Sequence, residues 1–133
     1  MKVKQHRFRC QYQKGKDVCI SDPIESDIPI TYEQILYSLA SLAVKVQEKY
    51  GDELGGQVAL KVLEIHEHII LDMYKYQYRG NGESKSYYFK LEDKNKIERT
   101  ERVDVQFWGE FKEGKPSHPL NQYIDLYRKS KGL

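Results

Sequence analysis

Between Gln57 and Gln77 the chain reads Gln-Val-Ala-Leu-Lys-Val-Leu-Glu-Ile-His-Glu-His-Ile-Ile-Leu-Asp-Met-Tyr-Lys-Tyr-Gln. Val58, Val62, Ile65, Ile69, Met73 and Tyr76 recur at intervals of three and four, with Ala59, Leu63, His66 and Ile70 one step round. Those intervals follow the 3.6-residue period of an α-helix and give it a wide apolar stripe. At 1.5 Å per residue the helix would run on the order of 30 Å, about the width of a small domain. The remaining elements must be arranged to bury it. Its far end reads two ways. Tyr74, Tyr76 and Tyr78 alternate with Lys75, Gln77 and Arg79 as in a strand, yet no breaker separates them from the helix. The helix is therefore extended to about residue 77, with Arg79-Gly80-Asn81-Gly82 ending it in either case.

A second amphipathic helix precedes this one. Thr31 followed three residues later by Gln34 has the form of a capping box, and Glu33 lies near the positive end of the helix dipole. Ile35, Leu39, Leu42, Ala43, Val46 and Tyr50 form its stripe, and Gly51 is a stop signal. Asp52 to Gly56 is either a short turn or a loose first turn of the next helix. Two amphipathic helices joined so closely should pack antiparallel.

Strand patterns flank the helices. Residues 3–20 read as a hairpin around Lys14-Gly15-Lys16, with Phe8, Cys10 and Tyr12 on one face and Arg7, Arg9 and Gln11 on the other. A two-residue Lys14-Gly15 turn would set Cys10 opposite Cys19 and put Val18 and Ile20 on the arginine face. A three-residue loop would bury Val18 and Ile20 beside Tyr12 and Cys10 and turn Cys19 to the other face. Burial usually fixes register, so the second is expected, with no Cys10–Cys19 bond. Ser21 to Ile30, with Pro23 and Pro29, reads as a connector. A second hairpin pairs a strand carrying Tyr87, Phe89 and Leu91 with one carrying Val103, Val105 and Phe107, around Asp93-Lys94-Asn95. The charged run from Lys96 to Arg102 would be the exposed end of its second strand. After a turn at Glu113-Gly114-Lys115-Pro116, Leu120, Tyr123, Ile124 and Tyr127 mark a short closing helix with Arg128, Lys129 and Lys131 at its negative end. The order ββ-αα-ββ-α predicts an α+β fold. Residues 1–133 would form a single domain, an antiparallel sheet of two hairpins packed against a helical hairpin.

Composition bounds the function. The chain is 39% hydrophobic and 32% charged, suited to a soluble globular protein. No apolar run is long enough to cross a bilayer, and the start, Met1-Lys2-Val3-Lys4, has no apolar signal region. Two cysteines are not a disulfide framework. A cytoplasmic location without membrane contact is expected. Net charge is +2 but uneven: residues 1–20 hold six basic and one acidic side chain, residues 21–60 two and seven, residues 111–133 five and two. Such asymmetry points only faintly to nucleic acid; solvated faces explain it as well.

No constellation specifies a reaction. Glu64, His66, Glu67 and His68 crowd one helical turn, but His66 and His68, two apart, diverge by about 160°. Glu64 and His68 could share a metal only with further ligands, so no metal site is expected. Glu110-Phe111-Lys112, with Asp104 and Glu67, has the residue types of a Mg²⁺-dependent nuclease. On one continuous strand, however, Asp104 and Glu110 would lie roughly 20 Å apart, too far to share an ion unless the chain bends near Gly109. Neither cysteine has a context that lowers its pKa, and no Gly-x-Ser-x-Gly turn or phosphate loop exists. No cofactor is called for.

The informative surface is the second hairpin. If Val103, Val105 and Phe107 face the core, then Arg102, Gln106 and Trp108 face away, as do Ser86, Tyr88 and Lys90 on the partner strand. These make a candidate binding patch of aromatic and basic residues, to which the nucleic-acid reading adds the separate Arg7 and Arg9 strand face of the first hairpin. It could anchor a protein partner or stack single-stranded bases beside phosphate-tracking cations. Alternatively, the closing helix covers Trp108 and makes the sheet two-sided. The reading is a non-catalytic binding protein in an accessory, regulatory or inhibitor role, with nucleic-acid binding as the alternative and a nuclease third.

Overall fold

The computed structural model describes residues 5–14, 16–76, 83–92, 95–112, 114 and 119–132, without the side chains at 52, 74, 76 and 83. Tyr78, the 79–82 breaker, Gly15 and most of the turns expected near 93–95 and 113–116 lie outside these residues. The elements run β1 (His6–Lys14), β2 (Asp17–Ile20), β3 (Ile24–Ser26), β4 (Ile30–Thr31), α1 (Tyr32–Tyr76), β5 (Glu83–Glu92), β6 (Glu98–Trp108), β7 (Phe111–Lys112) and α2 (Leu120–Ser130). The fold is α+β, and the two hairpins join through β1 and β6 into one antiparallel sheet ordered β2-β1-β6-β5. Two short pieces went unread in the sequence. Inside the Ser21–Ile30 connector, β3 pairs with the first half of β1, and at its end β4 pairs in parallel with β7.

α1 is broken at Gly51, whose φ of 85° and ψ of 176° are non-helical. Positive φ costs glycine little and other residues more. Asp52 to Gly56 is helical, so it opens the second arm and does not form a separate turn. The two arms reverse on each other: a Cβ at Gly55 would lie 2.8 Å from the Gln47 backbone nitrogen and 2.9 Å from the Val46 carbonyl oxygen. Residues eight apart touch only when the chain folds back, so the helices pack antiparallel, as their short connection implied. The capping box is formed in full. Gln34 N–H donates to Thr31 Oγ1 at 3.2 Å, and Thr31 N–H donates to Gln34 Oε1 at 2.8 Å.

The core lies between the helical hairpin and one face of the sheet. Phe8, Cys10 and Tyr12 from β1, Phe89 and Leu91 from β5, and Val103, Val105 and Phe107 from β6 all point into it. Ile35, Leu39, Leu42 and Val46 meet them from the first arm of α1, and Val58, Val62, Ile69 and Met73 from the second. α2 buries Leu120, Tyr123 and Tyr127 and packs chiefly on α1. Tyr123 Oη donates to Glu33 Oε1 at 2.7 Å, the Tyr37 and Tyr127 rings meet edge-on at 5.6 Å, and Arg128 bonds Gln47.

The first hairpin adopts neither register weighed from the sequence. Lys14 pairs with Asp17 and Tyr12 with Cys19, which puts Cys19 in the core and leaves Val18 and Ile20 on the arginine face, 38% and 42% exposed. Apolar burial did not decide this register; a polar anchor did. Cys10 N–H donates to Ser21 Oγ at 2.9 Å, Ser21 N–H returns to the Cys10 carbonyl at 2.8 Å, and Ser38 Oγ reaches Ser21 Oγ at 3.2 Å. Asp22 continues the anchor, its N–H on Ser41 Oγ at 2.8 Å and its carboxylate on Lys45 Nζ at 2.7 Å. Leaving the buried Cys10 and Ser21 groups unpaired would cost about 1–3 kcal/mol each. Val18 and Ile20 remain more than half covered where they are, so the alternative gains less than it loses. Cys10 and Cys19 are free thiols although they share the core face, since Cys19 lies opposite Tyr12 and not opposite Cys10.

Candidate functional site

β6 alternates Val103, Val105 and Phe107 into the core with Arg102, Asp104, Gln106 and Trp108 away from it. The residues opposite on β1 and β5 follow the same parity. On the outer face Arg7 pairs with Trp108, Arg9 with Gln106, Gln11 with Asp104, Tyr88 with Arg102 and Ser86 with Asp104. All seven residues expected from the sequence, Arg7, Arg9, Tyr88, Lys90, Arg102, Gln106 and Trp108, therefore share one sheet face. They form two groups. Arg7, Arg9, Gln106 and Trp108 gather at one end, Tyr88, Lys90 and Arg102 at the other, with Asp104 between. Trp108 and Arg102, six residues apart on one strand, are roughly 20 Å distant.

Trp108 is 42% and Tyr88 65% exposed. The closing helix, the alternative cover for Trp108, is engaged with α1. Trp108 is steadied from within the sheet instead: the Arg7 guanidinium sits 5.6 Å from its ring centroid. Such a cation–π pair contributes about 0.5–1 kcal/mol at an exposed site. Beside it Arg9 Nε donates to Gln106 Oε1 at 2.7 Å. Pro23, Ile24 and Glu25 rise along the edge and, with Ser84 across the sheet, close a hollow of about 620 Å³ around Arg7, Arg9 and Trp108. The far group is more self-contained. Asp104 is buried, accepting from Ser86 Oγ at 2.6 Å, Arg102 Nε at 3.2 Å and Gln11 Nε2 at 3.4 Å. Lys90 lies 3.7 Å from Glu98.

Several participants were not found from the sequence. Asp104 shares the parity of Arg102, Gln106 and Trp108, so strand alternation alone could have put it on this face; its carboxylate drew attention only as a metal ligand. Val18 and Ile20 needed the hairpin register, and Pro23, Ile24 and Glu25 needed β3. No local signal gave either.

The catalytic candidates come apart. The bend near Gly109 that the nuclease reading required does exist: β6 stops at Trp108, Gly109 has φ of 95°, and Phe111–Lys112 departs to pair with β4. Asp104 nevertheless stays on the outer face, bonded to Ser86, Gln11 and Arg102. Among the described residues no three His, Cys, Asp or Glu side chains lie close enough to hold a metal. His66 borders the core with Nδ1 at 2.7 Å from the Leu63 carbonyl, whereas Glu64, Glu67 and His68 are exposed. Burial pushes the Cys10 thiol up to about 12 against the pull of the Ser21 hydrogen bond and the Lys45 charge, the reverse of an activated nucleophile. No helix among the described residues is long and apolar enough to cross a membrane. Compared with protein-family models, curated proteins and solved structures, the chain matches none of them.

Proposed function

We propose that this chain is a non-catalytic binding protein, in an accessory, regulatory or inhibitory role, and that its uncovered sheet face docks a protein partner. The observation that carries the reading is the exposed Trp108, braced by Arg7 beside the hollow that Arg9, Pro23 and Ile24 line. Tryptophan, tyrosine and arginine are the residue types that dominate binding energy at protein interfaces, above all where a ring is already held in place. Val18 and Ile20 add aliphatic surface on the same face. Free buried Cys10 and Cys19 accord with a reducing, cytoplasmic setting.

Single-stranded nucleic acid is the second reading, favoured by the alternation of rings and cations on this face. Two of the four cations count against it, since Arg102 is held by Asp104 and Lys90 faces Glu98. A phosphate track needs cations that are not already matched by carboxylates. The test is affinity capture from the native cell with wild type and Trp108→Ala. The expected result is a protein partner lost in the variant while its melting temperature stays within a few degrees of wild type. A large loss of stability would make Trp108 structural and sink the proposal. Binding to single-stranded DNA or RNA that falls steeply with salt, and with charge reversal at Arg7 and Arg9, would replace it with the second reading.

A further inference from the structure

Gln57, on the second arm of α1, makes two hydrogen bonds to one main-chain residue at the edge of the sheet. Its Nε2 donates to the Glu92 carbonyl at 3.2 Å, and its Oε1 accepts from the Glu92 N–H at 3.4 Å. A side-chain amide offers a donor and an acceptor side by side, as a peptide group does. Gln57 therefore stands where the backbone of a neighbouring strand would stand.

It also fixes the direction of the β5 backbone. With both Glu92 groups turned from β6, strand periodicity turns the N–H and C=O of Lys90, Tyr88, Ser86 and Ser84 the same way. The far side of the sheet leads to the same result. The Cys10 carbonyl bonds Ser21 on the β2–β3 side, so the odd residues of β1 and the even residues of β6 bond each other. The odd residues of β6 then turn to the odd residues of β5, and the even residues of β5 face outward. Among the described residues no strand pairs with this edge.

We propose that the β5 edge pairs antiparallel with the β5 edge of a second copy of this chain. Gln57 already occupies Glu92, which leaves Ser84, Ser86, Tyr88 and Lys90 as outward pairing groups. A two-fold axis can match these four residues wholly among themselves in one register only, Ser84 opposite Lys90 and Ser86 opposite Tyr88, with the axis between the two Tyr87 residues. Every outward N–H and C=O from Ser84 to Lys90 then finds a partner, and Gln57 closes the ladder at both ends. The side chains agree with that register. Lys85 falls opposite Phe89 and Lys90 opposite Ser84, so neither of these charges meets a like charge directly across, the arrangement that destabilises strand pairs. Pairing centred on Lys90 would set two ammonium groups face to face.

Sedimentation of the full chain over a range of concentrations, with two sets of variants, tests this. The mass should rise with concentration towards twice that of one chain. Tyr88→Pro deletes an outward N–H on an edge strand, where proline is tolerated, and should hold the protein monomeric with unchanged circular dichroism. Should that variant fail to fold, register is read by cross-linking at exposed positions. Ser84→Cys and Lys90→Cys, mixed and oxidised, should form a covalent dimer, because directly opposite hydrogen-bonded residues have Cα atoms about 5.5 Å apart, within disulfide reach. Either variant alone should stay largely uncross-linked. A wild type that is monomeric at all concentrations, a folded Tyr88→Pro that still dimerises, or equal cross-linking in the single-variant samples would each overturn the proposal.

Discussion

The two faces of the central sheet carry the same strands and opposite chemistry. Inward, Phe8, Cys10, Val103 and Val105 are almost wholly buried against the helical hairpin. Outward, the alternate residues of the same strands and of β2 leave Trp108, Tyr88, Val18 and Ile20 partly exposed among arginines, glutamines and one buried carboxylate. An antiparallel sheet can keep one face wet, but a wet face is ordinarily polar. The inner face is accounted for by folding alone. The outer face holds more ring and aliphatic surface than folding uses, and the proposed docking rests on that excess.

The contrast can be broken most sharply from the inside. Phe8→Ala empties a fully buried ring site opposite Phe107, and chemical denaturation should show a loss of about 4 kcal/mol. Trp108→Ala, one residue from Phe107 on the same strand, should lose about 1 kcal/mol or less. Equal losses would mean that the two faces do not differ as argued.

The next largest effect tests how closely the helical layer is built. At Gly55 an added Cβ would run into the backbone of Val46 and Gln47, whereas at Gly56 it meets nothing within 4 Å. Gly55→Ala should therefore cost about 3 kcal/mol, while Gly56→Ala should be neutral or stabilise by about 0.5 kcal/mol through the unfolded chain. The melting temperatures of the pair are the measurement, and a similar response at both positions would contradict the backbone contact.

The smallest expected effect concerns the polar seam between the layers. Asp72 on α1 accepts from Lys85 Nζ and Tyr87 Oη, each at 2.7 Å. Burial by itself would raise its pKa, but the hydrogen bonds from Lys85 and Tyr87 and the charges of Lys85 and Lys75 hold it below the usual 3.8. A carboxyl depressed in the folded state contributes stability that is fully present above the unfolded value and is lost as pH falls through the folded one. Asp72→Asn should cost about 1 kcal/mol at neutral pH. Its melting temperature should converge on wild type as the pH drops below 3.8. A gap that stays constant down to low pH would show that packing, not charge, holds this seam.

Much of the architecture was legible because it is periodic and local. The stripes of both helices, the Thr31–Gln34 cap, the Gly51 break and the alternation on β1, β5 and β6 each lie within a few residues of their cause. Alternation alone put Arg7, Arg9, Tyr88, Lys90, Arg102, Gln106 and Trp108 on strand faces turned from the core. The first hairpin failed for the opposite reason. Its register depends on Ser21 meeting Ser38, and Asp22 meeting Ser41 and Lys45, on a helix that no local pattern connects to it.

The sequence by itself determined the buried stripes of the helices and the core faces of β1, β5 and β6, since both follow from side-chain period and from the cost of leaving apolar stripes in water; on β2 it did not. Only the tertiary structure decided what those faces meet. The pairing of β1 with β6 drew two distant basic and aromatic stretches into one surface. The docking of α2 on α1 left that surface open, and Gln57 closed one end of an otherwise open edge. Each is a contact between residues far apart in the chain, and local propensity carries no information about such contacts.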